Sequence, residues 1–293
     1  MVLEHIFPEN WLERKASYAF ILGAVYSIIG ILIASILFPG DPALVAVTFT
    51  SLLLLPELYK LFSIEERKER IESRVSLKNL WKDDFNLVKI YLFLFLGILL
   101  VYSIGTMVLP SFETNTLFRE QLEIRLGQGF AGNAMFSGLL SSDLFWSLLS
   151  NNFLVMLACF ILALLTGDGA IFLIVWNASV WGTIFGYTAK AASSFSGENA
   201  YLLFGKIMAS VSPHMIVEML AYILAAIAGA VISKDVLLEE FASDRFMEVF
   251  GFNLYLLLMA VIVLLLGAFL ETIALDYYYW YHEIITMSLL AGI

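Results

Sequence analysis

The chain has 293 residues, of which 61% are hydrophobic and only 14% charged, with a mean hydropathy of +0.88. A soluble domain carries about a quarter charged residues, so a soluble globular fold is excluded. The net charge of −10 says little about partners, because loop orientation in a membrane follows Lys and Arg alone.

The single cysteine, Cys159, lies inside an apolar run, which rules out an intrachain disulfide. No cleavable signal peptide is legible. The first sixteen residues carry Glu4, Glu9, Glu13, Arg14 and Lys15, and the run after them is long enough to stay as a span. A glycine-rich phosphate loop, a Cys-x-x-Cys pair and a basic nucleic-acid stripe are all missing from the sequence.

Residues 1–16 read as an interfacial lead-in, with Phe7 and Trp11 as headgroup anchors. Ser17–Phe38 is long enough for a first span, since about 20 apolar residues cross the hydrocarbon. Pro39-Gly40-Asp41-Pro42 is a turn. The next stretch, Ala43 to Phe62, is broken by Pro56-Glu57 and Lys60. It reads as a kinked second span or as a half-span that re-enters. Residues 63–86 interleave six basic residues with acids at helical spacing, such as Glu66 with Arg70. That richness in Lys and Arg predicts a cytoplasmic loop.

Span three is expected at Asp84–Pro110. In the outer segment 111–143, the uncharged, glycine-rich part Leu126–Ser142 reads either as a re-entrant loop or as a packed extracellular one. Span four, Leu144–Thr166, turns through Gly167-Asp168-Gly169 into span five, Ala170–Ala189, which predicts an antiparallel hairpin. An outer loop at 190–211 holds an amphipathic piece, Ala200–Ala209. Span six is placed at Pro213–Ser233, with Ser212 as N-cap and Pro213 in the first helical position. The inner loop 234–248 leads to span seven, Val249–Leu270. In the tail, Glu271 and Asp276 precede the aromatic block Tyr277-Tyr278-Tyr279-Trp280-Tyr281, which suits the headgroup layer, and Ile284–Ile293 is too short to span.

The fold class is therefore all-α: a polytopic transmembrane bundle of about seven spans with amphipathic or re-entrant additions. With the N-terminus inside, twelve of the sixteen Lys and Arg fall on the cytoplasmic side or its edge, and Arg119, Arg125, Lys190 and Lys206 fall outside. The expected location is the cell membrane, with the C-terminal tail outside.

The candidate site residues are polar groups within spans: Asn151, Asn152, Asn177, His214 and Glu218. An ionisable side chain at membrane depth is costly and marks a functional candidate. Each Asn reads more readily as interhelical glue than as a ligand contact, and His214 as a locally bonded helix-start residue. Small residues recur at four-residue spacing, Ala221-Ala225-Gly229-Ser233 in span six and Ala178-Gly182-Gly186 in span five. Such ladders let helices approach closely in lipid. Ala225 lies only about 20° around the helix from both His214 and Glu218, so Glu218 should point into a bundle or a subunit contact. His214 and Glu218 make only half a metal site, and completing it would need His282 or Glu283. No catalytic, metal or cofactor site is assigned, and no nucleophile–base pair is legible, so the chain reads as non-enzymatic.

Asn151-Asn152, Gly167-Asp168-Gly169, Asn177 with Gly182 and Gly186, and Pro213-His214 with Glu218 occur in an order that resembles the stage II sporulation protein M family of integral membrane proteins. The resemblance covers about residues 85–235. It departs at Ala178 and Met215, where the family commonly has glycine. It sets off a core at 87–235 from an interfacial segment and first hairpin at 1–62, the charged loop at 63–86, and a last span and aromatic tail at 236–293. It implies a membrane scaffold or complex subunit, since the family's namesake holds peptidoglycan-degrading enzymes during engulfment. Expected partners are membrane lipid and either membrane proteins or further copies of the chain, with no nucleic acid. The alternative is a proton-coupled transporter or channel with Glu218 as its intramembrane carboxylate.

Overall fold

The computed structural model describes residues 15–71, 77–127, 142–238 and 243–291. Phe7 and Trp11, most of Leu126–Ser142, and the charged side chains of the 63–86 loop lie outside the described residues. The described chain is helical, with no strand. It runs through α1 (Tyr18–Leu37), α2 (Pro42–Ile71), α3 (Leu77–Val108), α4 (Ser111–Leu117), α5 (Arg119–Gly127), α6 (Ser142–Thr166), α7 (Ala170–Ser196), α8 (Ala200–Leu238), α9 (Asp244–Tyr277) and α10 (Tyr279–Leu290). Backbone amides in hydrocarbon must bond within their own segment, and these long apolar stretches satisfy that as helices.

Seven of the helices are long and apolar enough to cross a membrane: α1, α2, α3, α6, α7, α8 and α9. The second stretch is one helix that continues through Pro56, not a half-span. Its Glu57 is buried and pairs with Lys60 at 3.8 Å, so the charges that blur this span in sequence partly neutralise one another. Turns end the helices where the sequence demands. Gly167 (φ +81°) and Gly197 (φ +76°) take the left-handed conformation that closes α6 and α7.

Two groups of helices make up the bundle. In the first, α1 packs on α2 and α3, and α3 lies along α7. In the second, α8 packs on α9 and α6. Contacts of α7 and α3 with α8 join them. Helix α8 is central, with 72% of its spanning window buried, whereas that of α6 is only 22% buried. The expected α6–α7 hairpin is present, but α6 packs far more on α8 than on its hairpin partner.

Sequence placed the start of the sixth helix wrongly. Helix α8 begins at Ala200, where the Asn199 side-chain oxygen accepts from the N–H groups of Tyr201 (2.8 Å) and Leu202 (3.4 Å). Pro213 is inside the helix, and Ser212 is no cap: its hydroxyl donates to the Met208 carbonyl. Proline lacks the N–H that a preceding carbonyl would use, and in a long apolar helix packed on three sides that one bond is outweighed. With α7 reaching Ser196, the expected outer loop 190–211 becomes the ends of two packed helices.

The short helices α4 and α5 pack on α2, α5 also on α7, and α10 packs on α7 and α8. Phe118 packs on Tyr102 (centroids 5.3 Å), and Gln121 donates to Ser179 at 3.3 Å. Helix α10 buries Tyr281, Ile284 and Ile285 against Ala189, Ala192, Leu203 and Ile207, and Trp280 donates to Ser210 at 2.7 Å. Lys190 donates to the Leu109 carbonyl and, at 3.4 Å, to that of Thr106. It thereby satisfies the end of α3, where helix geometry leaves carbonyls without partners.

Candidate functional site

The small-residue ladders are joints inside one chain, not faces left for an assembly. A Cβ on Gly182 would sit 2.5 Å from the Leu99 carbonyl oxygen, and one on Gly186 2.5 Å from that of Ser103. Both glycines therefore bring α7 onto α3. Gly229 meets the Phe160 carbonyl and Ala163 of α6, and Ala221 and Ala225 are fully buried within the bundle. Close approach in lipid is what these residues supply, and the chain uses it on itself.

Where α8 crosses α9, the surroundings change. Glu218 is 2% exposed and faces α9. Gly267 of α9 lies directly against it, and a Cβ there would come 2.7 Å from Glu218 Cγ. One helical turn beyond Gly267, the Glu271 carboxyl is in hydrogen-bond contact with that of Glu218. Asn152 of α6, itself buried, lies beside the Glu271 carboxyl. One oxygen of each acid, Glu218 Oε1 and Glu271 Oε2, has no partner. Tyr222, one turn along α8 from Glu218, is within electrostatic reach of both acids and of Cys159.

Of the five polar candidates read from sequence, the structure brings Asn152 and Glu218 to one place. His214 is one turn from Glu218, 8% exposed, with Nδ1 unpartnered. Asn177 stands apart on α7, its amide donating to the Leu173 carbonyl at 2.8 Å. His282 is engaged by the Leu275 carbonyl, and among the described residues no group of three acids, histidines or cysteines is placed to hold a metal.

Asn151 turns the other way. It is exposed, and its amide donates to Asn152 Oδ1 only at a long 3.5 Å. It stands about 9 Å along the helix from Phe145, where the spanning window of α6 begins. It belongs to an outward row of Ser147, Asn151, Leu154, Ala158, Ile161 and Leu165, spaced alternately four and three residues apart. That is the spacing by which one helix packs along another. The outward faces of α1 and α9 carry apolar side chains such as Ile28 and Leu32, Leu258 and Ile262.

The site's second acid, Glu271, is absent from the sequence-derived candidates, as is Gly267. Sequence places Glu271 just beyond span seven because the uncharged run stops there. The helix carries on past it, and the spanning segment reaches Leu275. The aromatic block held the signal: if Tyr277 marks the headgroup layer, Glu271 is about 9 Å short of it.

Seven apolar spans around a buried polar cluster define the class: a multi-pass integral membrane protein of helical-bundle type. The family model described as Stage II sporulation protein M matches residues 19–274, most of the chain, and the chain belongs to that family. The match is wider than the 85–235 stretch that carried the resemblance, taking in the first hairpin and the last span. No curated protein and no solved structure matches the chain.

Proposed function

We propose that this chain is a non-enzymatic membrane subunit that organises partner proteins around its bundle, with the N-terminus and the 63–86 loop in the cytoplasm and the α10 end outside. Family membership supports the reading, and the outward row on α6 carries it. A side-chain amide facing hydrocarbon leaves polar atoms without partners, whereas a second helix laid along the row would bond Asn151 and bury Leu154, Ile161 and Leu165. The least buried span is the one whose regularly spaced, mostly apolar outer face carries an exposed amide, and that is where a partner's transmembrane helix docks.

The test is affinity purification from native membranes in mild detergent, comparing wild type with Asn151→Leu, followed by mass spectrometry. A specific partner, or a second copy, present with wild type and depleted with the variant is expected. Identical recovery from both would remove the α6 face from the account.

A second reading, a proton-coupled transporter or channel, is favoured by the facing acids on α8 and α9. Glu218→Gln should then abolish proton-driven flux in liposomes, and unchanged flux would sink it.

A further inference from the structure

We propose that Glu218 and Glu271 form a proton-binding site in which the two carboxyls share one exchangeable proton, with Asn152 beside the Glu271 carboxyl. The inference rests on neither reading above, because a bound proton can be a structural ligand as well as a transported one.

Two carboxyls in hydrogen-bond contact need a hydrogen between them, because two carboxylates offer acceptors only. If both were ionised, like charges would meet in a medium of low dielectric, where their repulsion is many times that in water. Among the described residues, no group acting on either carboxyl is basic: Glu218 faces Glu271 and Tyr222, and Glu271 faces Glu218 and Asn152. Cys159 of α6 acts on Tyr222. Among the described residues, the only positive charge at the pair is therefore one it binds.

Gly267 separates this arrangement from an accidental meeting of two acids. Its missing Cβ is what allows α9 to pass close enough to Glu218 for Glu271, one turn on, to reach it. Oε1 of Glu218, on a side chain 98% removed from solvent, and Oε2 of Glu271 are buried acceptors that no donor reaches among the described residues. Binding is balanced without a co-reactant. A proton from water joins the dianionic pair, forms one O–H that bonds the opposite carboxylate, and leaves a single negative charge. Release returns the proton to water. Glu271 keeps some exposure and sits six residues from the end of α9, and His214, whose Nδ1 has no partner, is one turn from Glu218 towards the same end. Exchange therefore runs to the end that carries α10.

The test is infrared difference spectroscopy of the full chain in lipid vesicles, following the C=O stretch of protonated carboxyls through a pH titration. The Glu218→Gln/Glu271→Gln double variant serves as the blank, since it keeps the shape and the hydrogen bonds. Wild type minus blank should show a protonated, hydrogen-bonded carboxyl that titrates as a coupled pair over a broad pH range. Each single variant should show one simple step at a changed position. Two independent steps in wild type that match the sum of the single variants would overturn the proposal. So would a band unchanged between wild type and the double variant. Wild type alone supplies a check that needs no mutant to fold: the titration should be the same in sodium and in choline chloride. A sodium-dependent shift would assign the site to an alkali cation and refute the proton.

Discussion

The α3–α7 contact and the α8–α9 contact are both built on glycine, and they use it for opposite ends. At α3–α7, Gly182 and Gly186 press against backbone carbonyls, among tightly packed uncharged side chains such as Leu99, Tyr102, Ser103 and Thr183. At α8–α9, Gly267 presses against the side chain of an acid and leaves room for a second. The first arrangement contributes to holding the molecule together. The second spends close packing on two carboxyls whose desolvation opposes folding. Small residues in a membrane helix therefore say that something approaches closely, but not what.

The largest break in this comparison should come at the first contact. Gly182→Leu forces a side chain into the Leu99 carbonyl and Tyr102, and a backbone cannot step aside as a flexible side chain can. A loss above about 3 kcal/mol is expected, at or beyond the upper end of ordinary overpacking, read as loss of monodisperse protein on size exclusion. Lys190→Met frees the Thr106 carbonyl at the end of α3 and leaves that of Leu109 with Thr114 Oγ1 alone at 3.3 Å, and should cost about 1 kcal/mol, the net worth of a typical hydrogen bond. The measurement is the thermal midpoint in detergent.

At α8–α9 the sign should reverse. Replacing both acids together, Glu218→Met with Glu271→Met, should leave stability unchanged or raise it by about 1–4 kcal/mol, as when buried ionic groups give way to apolar ones of similar volume. A marked loss would mean that the acids serve the fold, not a site. Gly267→Ala is milder, because its Cβ meets the Glu218 side chain at 2.7 Å and the backbone only at 3.3 Å. It should cost about 1 kcal/mol, retain the fold and displace the carboxyl pair, seen as a changed infrared band.

The smallest effect lies outside the spans. Burial first, then a hydrogen bond that the protonated acid donates to Asp41, pushes the Glu120 carboxyl above the usual carboxylate range. Because its folded value is raised, its contribution is complete at acid pH, below the unfolded value. It fades as pH climbs through the folded value. Docking of α5 on the α1–α2 turn should thus tighten on acidification, with slower hydrogen exchange in α5. Glu120→Gln should remove that pH dependence.

Seven spans were legible because long uncharged runs in lipid permit one backbone solution. Even the second, interrupted by Pro56 and Glu57, follows once the return of the chain is considered. What failed to show was anything set by partners across space. Pro213 read as a helix start because local rules favour it there, and only packing of the whole of α8 overrides them. The ladders read as helix-packing faces, but sequence does not say which helix receives them. Glu271 read as the end of a span because a charge usually is one; its partner, Glu218, is 53 positions earlier in the chain and reaches it only through the α8–α9 crossing. The outer row on α6 went unread because Asn151 and Asn152 look alike in sequence, and only the rotation of the helix sends one inward and one outward.

The most direct test of the division between inward joints and an outward docking face is crosslinking along α6 in native membranes. Single cysteines or photoreactive residues would be placed at 147, 151, 154, 158 and 161 in a Cys159→Ala background, with 258 and 262 of α9 as controls. The account predicts adducts to a second polypeptide along the α6 row and few or none from α9. Equal yields from the two helices, or none from α6, would contradict it.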